Sequence, residues 1–165
     1  MHEPLDMLVR LYDLPDVNPF LDELKKEGIV VRKPIGPEQP YLSKWIEETF
    51  GPVWAGEVMS AFYRSPKGVY IAVEEKDGEK PKLLGFAAYD ATCKGMFGPT
   101  GVAPEARMKG IGRAVMLSCL HAMKEEGYGY AVIGDTEKWE YYNKCCGATP
   151  IEGSSPGVFE GFLRV

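Results

Sequence analysis

The sequence lacks the features that mark several large classes of protein. Its 165 residues contain no apolar run near the ~18 residues that cross a membrane, no cluster of Lys and Arg, and no internal repeat. The 19 basic and 24 acidic residues give a net charge of −5, whereas a nucleic-acid-binding domain usually carries a basic face. We therefore expect neither a membrane protein nor a nucleic-acid-binding protein.

Cysteine and histidine are also scarce. The four cysteines, which include the adjacent Cys145 and Cys146, show no CxxC spacing, and there are two histidines. Such a set predicts neither a disulfide framework nor a metal site. The start, Met1-His2-Glu3-Pro4, lacks the basic stretch and apolar core of a secretory signal, so we expect a reduced, cytoplasmic protein.

Glycine is what the chain has in excess. The sequence holds 19 glycines and 13 prolines, whereas average glycine usage is near ~7%. Apolar residues at 45% and charged residues at 26% are ordinary values, so a self-sufficient core is expected. The glycines therefore mark turns, helix ends or places where the backbone must approach something closely.

Hydrophobic periodicity predicts an alternation of strands and helices. We predict strands near 29–35, 69–73, 83–89, 95–102, 130–133, 148–151 and 158–165, and helices near 18–28, 37–50, 52–63, 110–126 and 137–146. Hairpins in the first half imply antiparallel pairing, and the unit from Gly95 to Ile133 implies a right-handed parallel crossover.

The predicted fold class follows from this order of elements. It is α/β (α+β), a single mixed, mostly antiparallel sheet with a central parallel pair flanked by helices. Residues 1–28 are predicted to form an N-terminal extension packed on a domain of residues 29–165.

The most informative segment joins a predicted strand to the start of the long helix. Helix N-termini present unpaired N–H groups that bind phosphate, and glycine lets the backbone approach an anion. The segment combines two glycines with three cations, namely Gly110, Gly112, Arg107, Lys109 and Arg113. It predicts a pyrophosphate site.

The P-loop pattern GxxxxGK[ST] is absent, and the dinucleotide pattern GxGxxG fails at Val115.

A second motif, Tyr141-Tyr142 followed by Gly147-Ala148, lies on the last predicted helix. Alone it is more typical of helix packing than of catalysis, although a tyrosine hydroxyl can donate a proton to a thiolate. Taken with Val102-x-Pro104 and with Arg107-x-x-Gly110-x-Gly112, it resembles the GNAT superfamily of acyl-CoA-dependent N-acyltransferases.

The resemblance implies a GNAT-like fold and acetyl-CoA as co-substrate. Tyr142 would protonate the departing CoA thiolate, and the acetyl group would pass directly to a primary amine of a small molecule or peptide. The implied CoA contacts are Thr100, Gly101, Val102, Arg107, Met108, Lys109, Gly110, Ile111, Gly112, Arg113 and Asn143. A homodimer is an expectation from the resemblance alone.

Three departures from the family pattern stand in the sequence. Met108 replaces a common glycine, Asp135 replaces a common asparagine, and one extra residue separates Tyr142 from Gly147. The base that deprotonates the amine stays open between Glu57, Asp90, Asp135 and a chain of water molecules.

The sequence does not identify the acceptor amine, and it leaves two functions other than acetyl transfer open. Aromatic residues of the helix pair, Trp45, Phe50, Trp54, Phe62 and Tyr63, could line an acceptor pocket where they are exposed. A CoA-binding sensor or interaction module on the same fold, and an ATP- or NAD-binding protein, are the alternatives to an N-acetyltransferase.

Overall fold

Seven strands and five α-helices make up the part of the chain that the structure describes, residues 2–164 of a computed structural model. The strands are Leu5–Arg10 (β1), Ile29–Arg32 (β2), Val69–Glu74 (β3), Lys82–Tyr89 (β4), Met96–Val102 (β5), Tyr130–Thr136 (β6) and Thr149–Pro150 (β7). The helices are Asn18–Lys26 (α1), Gln39–Phe50 (α2), Pro52–Phe62 (α3), Ile111–Glu125 (α4) and Trp139–Cys146 (α5).

All seven strands form one sheet in the order β2-β3-β4-β5-β6-β1-β7. Neighbouring strands are antiparallel except β5 and β6, which are parallel and joined through α4. This confirms the predicted fold class, including the central parallel pair.

The helices cover both faces of the sheet. Helix α4 packs with α1 and α5 on one face, where its buried side chains meet residues such as Leu84 and Phe97. Helices α2 and α3 pack on the other face against Ile71 and Phe86. Burial of apolar side chains on both faces supplies the main stabilisation and fixes where the helix ends lie.

Strand β1 is the main element that the sequence prediction missed. It lies between β6 and β7, with Met7 and Val9 fully buried. The alternation of apolar residues covers only six positions, and the strand's main partner follows about 120 residues later along the chain. Residues 2–28 thus supply a strand of the sheet as well as α1, while the proposed domain boundary at residue 28 stays a prediction.

The predicted last strand is wrong for the described residues, and Val165 lies outside them. Residues 157–159 form a short 3-10 turn instead. Gly153, Gly157 and Gly161 all have positive φ, at +76°, +57° and +72°, so the chain bends every four residues and cannot stay extended. Within residues 2–164, no helix has both the length and the hydropathy needed to cross a membrane.

Candidate functional site

A gap opens in the sheet between β5 and β6. The two strands pair at Met96 with Val132 and at Phe97 with Ile133, after which β5 runs on to Val102 and β6 to Thr136. The pairing between β5 and β6 thus ends several residues before either strand does.

The backbone of β5 faces this gap at alternate residues. The N–H of Ala103 donates to the carbonyl of Leu84 at 2.7 Å, on the β4 side. Because backbone groups alternate along a strand, those of Thr100 and Val102 point to the other side, toward the gap. An extended ligand can pair there as an added strand.

A cavity of about 590 Å³ extends from this gap to the start of α4. All predicted site residues except Lys109 and Asn143 line it. They are joined by Tyr141 of the second motif and by Phe50 and Trp54 from α2 and α3. The remaining lining residues lie outside the predicted site: Ala106, Met116, Lys138, Lys144 and Cys145.

The start of α4 leaves backbone N–H groups without partners in the wall of the cavity. Gly110 has φ +87° and precedes the first turn, whose first helical bond runs from the Ala114 N–H to the Gly110 carbonyl at 3.1 Å. The N–H groups of Ile111, Gly112 and Arg113 have no helical acceptor, and no side chain of the described residues caps them. Such a helix start favours a phosphate group.

Met108 stands where the family pattern commonly has glycine, and its backbone has the left-handed conformation that glycine favours. Its φ is +70°, in the left-handed region, and its side chain is fully exposed. A non-glycine residue in that region is strained by roughly 1–2 kcal/mol. The departure from the family pattern therefore leaves the backbone of the loop in a glycine-like conformation, with the Met108 side chain in solvent.

The charged side chains along the cavity wall are all cationic within the described residues: Arg107, Arg113, Lys138 and Lys144. Arg113 lies nearest to the helix start, since a Cβ on Gly110 would be 4.0 Å from its Nη2. The Arg113 Nε is buried and has no hydrogen-bond partner among the described residues. An anion beside Gly110 would meet a partly buried guanidinium, which is screened less by water than an exposed one.

Two tyrosines of α5 reach the cavity, whereas the sequence indicated one. The Tyr142 side chain is 8% exposed, and burial, followed by the nearby thiols of Cys146 and Cys145, raises its pKa to about 12. Tyr141 is half-exposed, and its hydroxyl lies 3.4 Å from where a Cβ on Gly112 would stand. Burial also raises the pKa of Tyr141, so both hydroxyls are protonated at neutral pH.

The two predicted contacts outside the cavity have other positions. Asn143 donates from Nδ2 to the carbonyl of Ala148 at 3.1 Å and thereby closes the end of α5. Lys109 is exposed on the loop before α4. Asn143 thus makes a contact within the fold, and its cofactor contact stays a prediction.

The three carboxylates considered as bases do not line the cavity. Glu57 accepts a hydrogen bond from Thr92, and Asp90 accepts one from Tyr128 at 2.7 Å. Asp135 is exposed near the end of β6, where its φ of +47° is left-handed, and its N–H donates to the buried carboxylate of Asp6 at 2.8 Å. The geometry therefore brings none of the three to the cavity wall.

Comparison with known proteins identifies the family. A profile described as "Acetyltransferase (GNAT) family" matches residues 40–148. The chain belongs to the GNAT acetyltransferase family. This confirms the resemblance that the two motifs carried, and the matched range contains both of them. A comparison with curated proteins gives no match.

Solved GNAT structures share the fold. A GCN5-related glucosamine N-acetyltransferase region of a fungal multi-domain GH3 beta-N-acetylglucosaminidase aligns with a TM-score of 0.72 and 14% identity, covering 91% of this chain and 20% of that one. A GCN5-related N-acetyltransferase from Sphaerobacter thermophilus aligns with a TM-score of 0.66 and 22% identity, over 90% and 48%. This chain thus spans about half or less of those two proteins.

A third solved structure was determined with a ligand. It is a GNAT family acetyltransferase from Brucella melitensis in complex with acetyl-CoA, with a TM-score of 0.50 and 22% identity, covering 70% of this chain and 82% of that one. At these identities the likenesses show the fold, and the chemistry of this chain must be argued from its own residues.

Proposed function

We propose that this chain transfers the acetyl group of acetyl-CoA directly to a primary amine. One observation carries the proposal: a single cavity joins an uncapped, cation-flanked start of α4 to a gap in the sheet and to a buried tyrosine. These parts fit acetyl-CoA, which has a pyrophosphate, an extended amide-containing arm and a reactive thioester.

Each part of the ligand has a matching part of the chain. The N–H groups of Ile111, Gly112 and Arg113 would hold the pyrophosphate, with Arg107 and Arg113 as counter-charges. The backbone of Thr100 and Val102 would pair with the extended arm. When bound, acetyl-CoA supplies an activated acetyl thioester.

Tyr142 is the proposed partner of the sulfur that leaves. Its raised pKa keeps the hydroxyl protonated, so Tyr142 is ready to donate a hydrogen bond as charge develops on the sulfur. An ordinary thiol has a pKa near ~8.5, so complete proton transfer from a tyrosine with a pKa of about 12 to a thiolate is unfavourable. The tyrosine therefore acts mainly by stabilising the developing negative charge through its hydrogen bond.

The test combines a binding assay with an activity assay. CoA at about 100 times its Kd should stabilise the protein by about 2.7 kcal/mol, which raises Tm by roughly 5–10 °C for a chain of this size. Thiol release from acetyl-CoA in the presence of primary amines then measures transfer. An unchanged Tm at millimolar CoA contradicts the proposal, and CoA binding without thiol release favours a CoA-binding module.

A further inference from the structure

The wall of the cavity on the side of α2 and α3 is aromatic. Phe50 ends α2 and Trp54 lies in the first turn of α3, with their ring centroids 5.3 Å apart and their planes tilted by 30°. Both rings pack edge-on against Phe86 of β4, at 5.8 and 6.3 Å. We call Phe50 and Trp54 the aromatic wall.

The aromatic wall is held firmly against the sheet. A Cβ on Gly101 would lie 2.5 Å from the Cζ atom of Phe50, so the ring rests directly on the backbone of β5. Gly51, with φ +102°, makes the corner between the two helices and fixes the spacing of the rings. Both rings are half-buried and line the cavity, so they present apolar surface to whatever enters it.

The charge of the cavity limits what can occupy the space beside these rings. Among the described lining residues there is no Asp or Glu, and the charged ones are Arg107, Arg113, Lys138 and Lys144. Bound CoA would neutralise Arg107 and Arg113 through its phosphates, which leaves Lys138 and Lys144 as the free cations. An acceptor with several ammonium groups would then find no Asp or Glu among the described lining residues to pair with, at a cost in affinity. A monoamine avoids this cost, because its one amino group must lose its proton before it attacks.

The same surroundings help that proton to leave. Desolvation on entering the cavity and the nearby Lys138 and Lys144 both disfavour an ammonium ion and lower its pKa. A monoamine can then give its proton to water and attack in its neutral form although the candidate bases lie outside the cavity. As the C–N bond forms and the C–S bond breaks, the nitrogen loses a second proton and the departing thiolate takes one up. Flat aromatic groups gain additional contact energy when they pack on other rings.

We infer that the acceptor is a monoamine on an aromatic carbon skeleton, an arylalkylamine, bound with its ring against Phe50 and Trp54. This inference rests on the proposed acetyl transfer and adds the class of amine. It excludes polyamines and aminoglycosides as good acceptors, since no Asp or Glu among the described lining residues could pair with their additional ammonium groups.

A panel of amines tests the acceptor class by thiol release. The panel contains 2-phenylethylamine, tryptamine, glucosamine, spermidine and kanamycin, each at several concentrations with saturating acetyl-CoA. We expect kcat/KM for the two arylalkylamines to exceed that for the other three at least tenfold. Equal or faster acetylation of glucosamine, spermidine or kanamycin overturns the inference and leaves the proposed transfer intact.

The wall itself is tested with Trp54→Leu, which keeps an apolar side chain and removes the ring. We expect KM for tryptamine to rise about threefold to tenfold with KM for acetyl-CoA unchanged. Tyr63→Leu is the matched control, since Tyr63 is exposed at the end of α3 and lies outside the cavity lining. Trp54→Phe should restore most of the loss, and it replaces the leucine variant if that variant fails to fold.

The possible failures can be told apart. A rise in KM for acetyl-CoA instead of the amine places Trp54 in CoA binding and overturns the inference. CoA binding measured by Tm, with no transfer to any amine of the panel, overturns both the acceptor class and the proposed transfer and favours a CoA-binding module, whereas preferred transfer to glucosamine, spermidine or kanamycin overturns the acceptor class alone. An absence of CoA stabilisation contradicts the proposed function itself.

Discussion

The guanidinium of Arg113 lies over the ring of Phe20, 3.9 Å from the ring centroid. Phe20 belongs to α1, outside the range that the family profile matches, whereas Arg113 lies in the first turn of α4 and lines the cavity. A cation–π contact of this kind contributes about 0.5–1 kcal/mol or more. Phe20 therefore positions a cation that faces the proposed phosphate site.

A double-mutant cycle tests this positioning role. Phe20→Leu should weaken CoA binding about threefold, because the guanidinium loses its stacked orientation. In the background of Arg113→Ala, the same substitution should have no further effect on the Kd of CoA, measured by calorimetry. Phe20→Trp, which keeps an aromatic face, is the control that should bind normally. A full additional loss in the double variant would show that Phe20 acts on the fold generally.

Tyr142→Phe removes the proposed hydrogen-bond donor to sulfur and leaves the ring in the core. We expect kcat to fall by roughly 10²-fold, with little change in the Kd of acetyl-CoA, since the hydroxyl acts as negative charge develops. Steady-state kinetics and thermal shift measure the two quantities. Tyr141→Phe, the matched control on the adjacent residue, should lose much less. If the Tyr141 variant is the inactive one, the roles of the two tyrosines are reversed.

The raised pKa of Tyr142 predicts a pH dependence of stability. A tyrosine that titrates at about 10 when unfolded and about 12 when folded favours the folded state fully below pH 10. This contribution, about 3 kcal/mol at most, is lost as the pH rises from 10 to about 12. Denaturant unfolding at pH 9 and pH 11 should show a larger drop for the natural protein than for Tyr142→Phe. Parallel curves for the two proteins would contradict burial of the hydroxyl.

Met108→Gly should stabilise the protein. The left-handed φ of +70° costs a methionine roughly 1–2 kcal/mol, whereas glycine adopts it freely and loses part of that gain to its flexible unfolded state. The expected net gain is about 0.5–1 kcal/mol in chemical denaturation. Met108→Ala is the control, because alanine keeps the strain and should leave stability nearly unchanged. A gain in the alanine variant as well would attribute the effect to the exposed side chain.

Gly101→Ala should disturb the aromatic wall. The new methyl group would stand 2.5 Å from the Cζ atom of Phe50, so the ring must move or β5 must shift. We expect a loss of about 1–3 kcal/mol in unfolding free energy, and recovery of most of it when Phe50→Leu removes the clash. Gly129→Ala, where a Cβ meets open space, is the matched control.

The geometry of the loop from Arg107 to Gly112 could be predicted because its determinants are local in the sequence. Arg107, Gly110 and Gly112 lie within six residues, and a strand before them and a helix after them fix their geometry. Asn143 shows that a motif does not reveal every partner of a side chain. It is adjacent to Tyr142 in sequence, and its amide donates to the Ala148 carbonyl at the end of α5.

Features formed by distant segments could not be predicted. Strand β1 depends on pairing with β6, and the contact between Phe20 and Arg113 joins two helices about 90 residues apart. The side of α5 that faces the cavity depends on how the helix is rotated against the rest of the fold, which the sequence does not give. The position of Tyr141 in the cavity lining therefore follows from the packing of α5 and not from the motif.

The short pairing of β5 with β6 has a mechanical consequence. Two residue pairs connect a half-sheet of β2 to β5 with a half-sheet of β6, β1 and β7, so the two halves meet along a narrow seam. A ligand arm hydrogen-bonded in the gap would pair like an added strand and extend this narrow connection. Amide hydrogen exchange at Thr100 and Val102 should then slow when the arm is present. The molecule would become stiffer by using its ligand as a piece of its own sheet.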